Sequence, residues 1–223
     1  MKTDDDFQEM MNNRIRRIQS ETTDMSSNKR LPDWNRLYSD MRVEDMPWYL
    51  PELDPDLKDM LDEFNINAGS FLDLGTGPGT QAIELSKIGF DVTGIDISKD
   101  AIVKARKLND QVKFVQDDIL NTHIQNQYNY IFDRGCFHII EEEKRPIYLE
   151  NVAKLLHKDG ILFLKCFSDK NTYSGFGPHH ISKSMIQELF NRHFDILKIK
   201  DSIYQSISSQ QNKTLFVVMK KRE

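Results

Sequence analysis

From residue 70 onward, short apolar runs alternate with segments in which apolar residues recur every three or four positions. Apolar runs bounded by turn residues are typical of buried strands, and the longer periodic segments are typical of amphipathic helices. The predicted strands are Phe71–Leu74, Asp91–Ile95, Lys113–Val115, Tyr130–Phe132, Ile161–Phe167, Phe194–Lys200 and Thr214–Met219. This alternation predicts an α/β fold with helices on both faces of a seven-stranded, mostly parallel sheet.

The segments between the strands carry the signals of helix ends. One helix is predicted from Thr80 to Ile88, and Ser98 is the predicted N-cap of the next. The apolar stripes of the later helices comprise Ala101, Ala105 and Leu108, then Ile147, Val152, Leu155 and Leu156, then Ile186, Leu189 and Phe190 after a start at Ser182 or Ser184. The last two strands have no room for a crossover helix, so an antiparallel C-terminal hairpin is predicted.

Composition points to one ordinary globular domain. The 223 residues are 39% hydrophobic and carry a formal net charge of −5, which disfavours a nucleic-acid partner. There is no secretion signal and no apolar run of about 18 residues, so we expect a cytoplasmic protein with no membrane contact. We expect it to be a monomer or a weak homodimer. Cys136 and Cys166 show no metal-ligand spacing and are expected to be buried thiols.

The first fifty residues differ from the rest. They hold a basic cluster read as a solvated face, Arg14, Arg16, Arg17, Lys29 and Arg30, and both tryptophans, Trp34 and Trp48. We therefore expect residues 1–50 to be an extension or lid and residues 51–223 to be the main domain. The aromatic side chains, with Tyr49 and Phe176, either cover a ligand or belong to the core.

The segment FLDLGTGPGT at residues 71–80 carries the strongest chemical signal. An apolar strand ends at Asp73 and leads through Gly75, Gly77 and Gly79 into a helix, a spacing that lets the backbone approach a ligand closely. Asp96 ends the second strand, where a carboxylate can accept both hydroxyls of a ribose. A dinucleotide site is the nearest alternative, but its GxGxxG fingerprint requires glycine where this chain has Thr80.

These motifs resemble the class I S-adenosylmethionine-dependent methyltransferases over roughly residues 68–220. The resemblance implies a Rossmann-like sheet, S-adenosylmethionine as cofactor and S-adenosylhomocysteine as product. It implies a cofactor site in which Asp73 and the glycine loop surround the methionine part of the cofactor. The residues of this loop are Gly75, Thr76, Gly77 and Gly79. Asp96 is implied to hold the ribose, and Ile97, Asp118 and Ile119 to contact the adenine. Asp117 is the alternative to Asp118.

The segment FDRGCFHII at residues 132–140 follows the fourth strand, at the edge where open α/β sheets bind ligands. It is similar to the thiopurine and thiol methyltransferase branch, which implies a small acceptor with a soft nucleophile such as sulfur, selenium or halide. Candidates for catalysis are Asp133, which also adjoins the cofactor, and His138. Candidates for acceptor binding are Trp34, Trp48, Arg134, His179 and His180. No metal site is predicted.

The function predicted from these residues is methyl transfer to a small molecule, with a thiol or another soft nucleophile favoured. Small-molecule O- or N-methylation stays open. A nicotinamide-dependent oxidoreductase and a non-catalytic cofactor-binding module are the alternatives of another class.

Overall fold

A computed structural model describes residue 13 and residues 33–171, 178–206 and 212–222. The helices are α1 (Trp34–Asp40), α2 (Pro55–Glu63), α3 (Thr80–Lys87), α4 (Lys99–Leu108), α5 (Arg145–Leu155) and α6 (Lys183–Phe190). The strands are β1 (Ser70–Leu74), β2 (Asp91–Asp96), β3 (Lys113–Gln116), β4 (Tyr128–Arg134), β5 (Leu156–Phe167), β6 (Phe194–Ile203) and β7 (Lys213–Lys221). Short 3₁₀ turns occur at Val43–Asp45, Ile119–Asn121, Phe137–Ile139 and Glu142–Lys144.

The strands form one seven-stranded sheet in the order β3-β2-β1-β4-β5-β7-β6. The pairs from β3 to β5 are parallel, whereas β7 is antiparallel to both β5 and β6. The predicted fold class, including the antiparallel C-terminal hairpin, is therefore confirmed. The hairpin places β7 inside the sheet and leaves β6 at its edge.

Strand alternation divides the core into two layers, because successive side chains of a strand point to opposite faces of the sheet. One face carries a row of aromatic side chains that packs against α2, α3 and α4: Phe71, Phe132, Phe163 and Phe216. The other face carries aliphatic side chains that pack against α5 and α6: Leu72, Ile131, Leu162, Leu164 and Val217. Both faces are thus covered by helices, as predicted.

Three details of the predicted helices are wrong. Leu108 is 51% exposed, because it is the last residue of α4, where the helix no longer covers the sheet. Ile147 is 46% exposed in the first turn of α5. Leu156 belongs to β5, which begins directly after α5 and is longer than predicted. Of the two possible starts of α6, the structure selects Ser182, whose side chain accepts a hydrogen bond from the Met185 backbone N–H.

The aromatic segment near the N-terminus forms helix α1, which the sequence pattern did not predict. Its Leu37 and Tyr38 are buried together with Met41, Met46 and Ala101 of α4. Residues 1–32, apart from residue 13, lie outside the described part of the chain, and so does the predicted basic cluster. No helix in the described ranges is long and apolar enough to cross a membrane.

Candidate active site

The glycine loop begins at the carboxyl end of β1. The Thr76 backbone N–H donates to the Ile95 carbonyl at 2.8 Å, which ties the loop to β2. The Thr76 hydroxyl donates to Oδ2 of Asp73 at 2.5 Å. Asp73 is 2% exposed, and burial raises its pKa to about 6 despite the hydrogen bond from Thr76. Asp73 therefore holds the glycine loop through Thr76. Its burial makes the ionised form of the carboxyl group less favourable than it is in water.

Gly77 lies at the point of the loop that approaches helix α1 most closely. Its φ of +54° is in the left-handed region, which favours glycine. The position that a Cβ would take on Gly77 is 2.9 Å from the Tyr38 hydroxyl. By contrast, the same position on Gly79 is 2.6 Å from the Phe114 ring, inside the core. The Tyr38 hydroxyl thus covers the backbone of Gly77, whereas a side chain on Gly79 would meet the Phe114 ring inside the core.

Asp96 lies at the carboxyl end of β2 and faces the glycine loop. Its Oδ2 accepts the Gly77 backbone N–H at 2.9 Å, and its Oδ1 accepts the Ser98 backbone N–H at 2.8 Å. Each oxygen keeps one free acceptor position, since a carboxylate oxygen accepts about two hydrogen bonds. Asp96 is 8% exposed, and burial raises its pKa to about 6. The pair of oxygens is thus fixed in orientation by backbone donors.

The two neighbouring aspartates after β3 have different surroundings. Oδ1 of Asp117 accepts the His123 backbone N–H at 3.0 Å, and its Oδ2 accepts the Thr122 hydroxyl. Asp118 accepts only the Leu120 backbone N–H at 2.9 Å, on Oδ1, among the described residues. Asp118 also lies near enough to Cys136 to raise the pKa of that thiol, together with burial and two other aspartates. The geometry thus separates an inward-held Asp117 from an Asp118 that faces the site.

The apolar neighbours of these carboxylates differ in exposure. Ile97 directly follows Asp96 and is 52% exposed, which is unusual for a large apolar side chain at a strand end. Ile119 is buried. Ile97 therefore leaves an apolar surface uncovered beside the carboxylates.

The residues at this edge fit S-adenosylmethionine by their chemistry. The carboxylate of Asp96 keeps acceptor positions for a ribose diol, and the lack of a side chain on Gly77 lets the Tyr38 hydroxyl approach the loop backbone. Asp73, Asp96 and Asp118 make the edge acidic, which suits a ligand with a sulfonium and an ammonium group. The side chains of Trp34, Tyr38 and Trp48 add the aromatic faces that attract cations.

Asp133 and Arg134 are adjacent in sequence but point to opposite faces of the sheet, because β4 is extended to its last residue. Asp133 is completely buried on the α5 side and accepts the backbone N–H groups of Gly135, Cys136 and Phe137. The Tyr148 hydroxyl donates to its Oδ2 at 2.6 Å. Burial raises the pKa of Asp133 to about 7. In this arrangement both oxygens are used in holding the loop after β4.

Arg134 lies on the α2 side, with its side chain 7% exposed. Its Nε donates to Asp54 at 2.8 Å, and its Nη1 donates to the Trp48 carbonyl and the Tyr204 hydroxyl. Its Nη2 donates to the Gln205 carbonyl. Four of the five N–H groups of the guanidinium therefore have protein acceptors. The structure places Arg134 as a link between the N-terminal segment and the end of β6.

His138 is 4% exposed and lies in the 3₁₀ turn that follows β4. Its Nδ1 accepts the Phe167 backbone N–H at 2.9 Å, and its ring lies 4.5 Å from the Phe167 ring. Burial lowers the pKa of His138 to about 3, with His179, His180 and Arg134 acting in the same direction. The imidazole is therefore neutral around pH 7 and a weak base.

The predicted His179 and His180 come close to His138 through the chain that follows β5. The His179 backbone N–H donates to the His138 carbonyl at 2.6 Å, and its Nε2 lies 3.4 Å from a carboxylate oxygen of Glu141. Phe176, which the sequence groups with the two tryptophans as a ligand cover or a core residue, lies outside the described residues. The structure thus brings the three histidines together around one turn.

The two tryptophans contact each other and Tyr38, whose hydroxyl covers Gly77. Their ring centroids are 6.0 Å apart at an angle of 71°, and Tyr38 lies 5.8 Å from Trp48 in a similar edge-to-face contact. The Trp48 Nε1 atom is buried without a hydrogen-bond partner in the described part of the chain. The structure therefore brings Trp34 and Trp48 to the edge of the sheet that holds Gly77.

Sequence reasoning missed several polar residues of this region. Tyr38 and Tyr204 were not singled out, nor was the ion cluster beside Arg134: Asp54, Asp56, Lys165 and Lys200. Lys165 is completely buried, 2.8 Å from Asp54 and 2.7 Å from Asp56. A lysine at an inward position of a predicted buried strand is the signal that would have found this cluster, because a buried charge requires a partner.

Comparison with known proteins gives results that match this geometry. Residues 71–160 match the family described as Methyltransferase domain. The chain is 33% identical over 105 residues to an uncharacterized methyltransferase of Schizosaccharomyces pombe, covering 45% of this chain and 72% of that protein. It is 25% identical over 162 residues to thiocyanate methyltransferase 1 of Arabidopsis thaliana, covering 70% of each chain.

A solved structure with a similar fold is the N-methyltransferase NodS from Bradyrhizobium japonicum WM9, in complex with S-adenosyl-L-homocysteine. The TM-score is 0.65 at 16% identity, over 86% of this chain and 100% of that chain. At this identity the similarity concerns the fold.

Proposed function

The chain belongs to the S-adenosylmethionine-dependent methyltransferases, and on that premise we propose that its acceptor is a small molecule with a soft nucleophile, such as a thiol or thiocyanate. When bound, S-adenosylmethionine supplies an electrophilic methyl group on a sulfonium. The protein then has to align a nucleophile with that methyl group and exclude water.

The observation that carries this proposal is the state of the two candidate bases. Asp133 uses both oxygens to hold the loop after β4, and His138 has a pKa lowered to about 3 by burial. Alcohols and ammonium groups must lose a proton before or during methylation, so they would need a competent base. A thiolate or thiocyanate needs none, which agrees with the surroundings found here.

The position of helix α1 over the glycine loop supports the proposal that the acceptor is small. The Tyr38 hydroxyl lies over Gly77, and Asp96, Tyr204 and Cys136 are close enough to raise its pKa further, after burial itself. Tyr38 therefore lies between the cofactor side and the acceptor side of the edge. A bulky acceptor would have to displace α1 further than a small one would.

Relatives support the choice of nucleophile. Thiocyanate methyltransferase 1 of Arabidopsis thaliana is similar over 70% of this chain. Its name states an acceptor that is a small sulfur-containing anion. We extend this acceptor class to the present chain.

We propose the following roles for the site residues. Asp73, Gly75, Thr76, Gly77, Gly79, Asp96, Ile97, Asp118 and Ile119 form the cofactor side. Asp133 holds the loop next to it and Arg134 positions the covering segments, so neither is assigned to proton transfer. Trp34, Trp48, His138, His179 and His180 bound the acceptor side. Residues 1–50 are proposed to form a lid on a domain of residues 51–223.

The test is a mass-spectrometric assay of the purified chain with S-adenosylmethionine and four acceptors: thiocyanate, thiophenol, phenol and aniline. We expect methylated product from the two sulfur compounds and little from the others. Asp96→Ala serves as the cofactor-binding control. Turnover of phenol or aniline in preference to both sulfur acceptors would replace the proposal with small-molecule O- or N-methylation.

A further inference from the structure

The tautomer of His138 is fixed by its backbone partner. The Phe167 N–H donates to Nδ1 at 2.9 Å, so Nδ1 carries a lone pair and the single proton of the neutral ring is on Nε2. The His138 ring is buried and packs against the Phe167 ring. Nε2–H is therefore a donor with a set direction.

None of the described residues accepts a hydrogen bond from this Nε2–H. Nε2 lies 3.3 Å from the position that a Cβ would take on Gly135, the first residue after β4. The Tyr204 hydroxyl lies 3.2 Å from the same position. The bare face of Gly135 thus lies near an imidazole donor and a phenol hydroxyl.

This space adjoins the cofactor side. Gly75 and Gly135 follow β1 and β4, which are neighbours in the sheet, and a Cβ on Gly75 would lie 2.9 Å from the Cβ of Cys136. The Phe167 ring contacts both His138 and Tyr204, with ring centroids 4.5 Å and 5.4 Å apart, and provides an apolar neighbour for both polar groups. An apolar neighbour beside one fixed donor suits a small anion with a polarisable atom.

We infer that His138 acts as a specificity-determining donor: its Nε2–H binds the acceptor nucleophile and selects one that arrives as an anion, such as a thiolate. The inference rests on the proposed function and deepens it. The thiol proton is lost to bulk water before binding, and the sulfur lone pair forms the new bond to the methyl carbon. The bond from methyl to sulfonium breaks with its electron pair on the departing thioether sulfur, and His138 keeps its proton throughout.

The charged and titratable groups that face His138 are consistent with a permanently neutral ring. They are His179, His180 and Arg134, and each lowers the pKa of His138 in addition to burial. Arg134 stays charged because it is paired with Asp54. A ring in this environment does not serve as the proton acceptor of the reaction.

The first test is nitrogen NMR on the full chain with ¹⁵N-labelled histidine. We expect His138 as the Nε2–H tautomer with no titration between about pH 5 and 8. In the complex with S-adenosylhomocysteine, addition of thiophenol is expected to shift its Nε2 resonance. An Nδ1–H tautomer, or titration of His138 in this range, would overturn the inference without reference to turnover.

The second test compares two variants with thiophenol as acceptor. His138→Phe keeps an aromatic ring but removes the donor, so kcat/KM is expected to fall at least about tenfold, the effect of one hydrogen bond to a charged group. His138→Gln restores an N–H donor and is expected to recover most of the loss. The affinity for S-adenosylhomocysteine stays unchanged in both, and the exposed His157→Gln is the control for loss of a histidine.

The outcomes separate this inference from the proposed function. If wild type methylates thiophenol but His138→Gln is as impaired as His138→Phe, the donor role is wrong and the acceptor class stands. A pH profile with a histidine limb that disappears in both variants also overturns the donor role in favour of a base. If wild type methylates phenol or aniline instead of thiophenol, the acceptor class and the selection by His138 both fail.

Discussion

Arg134 and Asp54, eighty residues apart, form an ion pair in which Nε lies 2.8 Å from Oδ2, with almost no solvent exposure on either side chain. Asp54 caps α2, and Arg134 ends β4. The same guanidinium binds the Trp48 and Gln205 carbonyls. One side chain therefore fixes three segments that border the active site.

Removal of this charge should destabilise the protein strongly. Arg134→Met leaves part of the Asp54 acceptor capacity unpaired, and loss of one partner of a buried pair costs about 3–5 kcal/mol of unfolding free energy. Urea denaturation of Arg134→Met, Asp54→Asn and the double variant measures the coupling. Because Lys165 also binds Asp54, Asp54→Asn alone should be costly too. Additive single effects would show that the pair is not coupled.

Asp96 should control cofactor affinity in a pH-dependent way. Asp96→Asn is expected to weaken binding of S-adenosylhomocysteine by about 1–3 kcal/mol, because one acceptor oxygen is replaced by a donor. Burial raises the pKa of Asp96 to about 6, and ribose hydroxyls bind the ionised form better. Affinity should therefore fall as the pH is lowered through 6, measured by calorimetry.

The neighbouring Asp73 also has a pKa raised to about 6, so a control is needed. If Asp96 is responsible, the pH dependence should largely disappear in Asp96→Asn while Asp73 is intact. A dependence that persists unchanged in this variant would assign it to Asp73.

Asp117 and Asp118 form a matched pair for testing the adenine contact. Asp118→Ala should weaken binding of S-adenosylhomocysteine by about 1 kcal/mol, the typical net value of a hydrogen bond, with little change in stability. Asp117→Ala should instead lower stability, since it leaves the Thr122 hydroxyl and the His123 N–H without their acceptor. Calorimetry and thermal melting distinguish the two. The reverse pattern would exchange their roles.

The hydrogen bond between Tyr148 and Asp133 should contribute more to the unfolding free energy at high pH than at low pH. Burial raises the pKa of Asp133 to about 7, so the stability that this group contributes is present at acidic pH and is lost as the pH rises through 7. The Tyr148 hydroxyl opposes this by stabilising the ionised form. Tyr148→Phe should therefore cost more unfolding free energy at pH 8 than at pH 5, by about 1 kcal/mol.

Denaturation at the two pH values measures this difference. Tyr130→Phe, on the same sheet but among the aromatic side chains of the other face, is the control and should show no such difference. An equal cost of Tyr148→Phe at both values would mean that Asp133 does not change its protonation in this range.

The covering segment should respond to ligands. Because Tyr38 lies over Gly77, hydrogen exchange of residues 34–49 is expected to slow when S-adenosylhomocysteine and thiophenol are both bound. Helix α6, which packs on the other face of the sheet, provides the internal control. Equal protection of residues 34–49 in both states would assign this segment to the permanent core.

Several features of this protein are determined by short stretches of sequence. The order of strands and helices follows from apolar periodicity, and the positive φ of Gly77 follows from a turn that other residues enter only with strain. The position of Asp96 at the site is also predicted by local sequence, because Asp96 ends a strand and the carboxyl ends of parallel strands lie at one edge of the sheet. These features depend on local backbone requirements, which can be recognised in a single sequence.

The tertiary structure decided the chemistry of the side chains. Asp133 and Arg134 are neighbours in one motif, and only the placement of β4 between two covered faces turned one toward Tyr148 and the other toward Asp54. Lys165 and Asp54 are 111 residues apart. A buried polar group takes whatever partner packing brings to it, and that partner comes from a distant segment, so the pairing is not written in the local pattern.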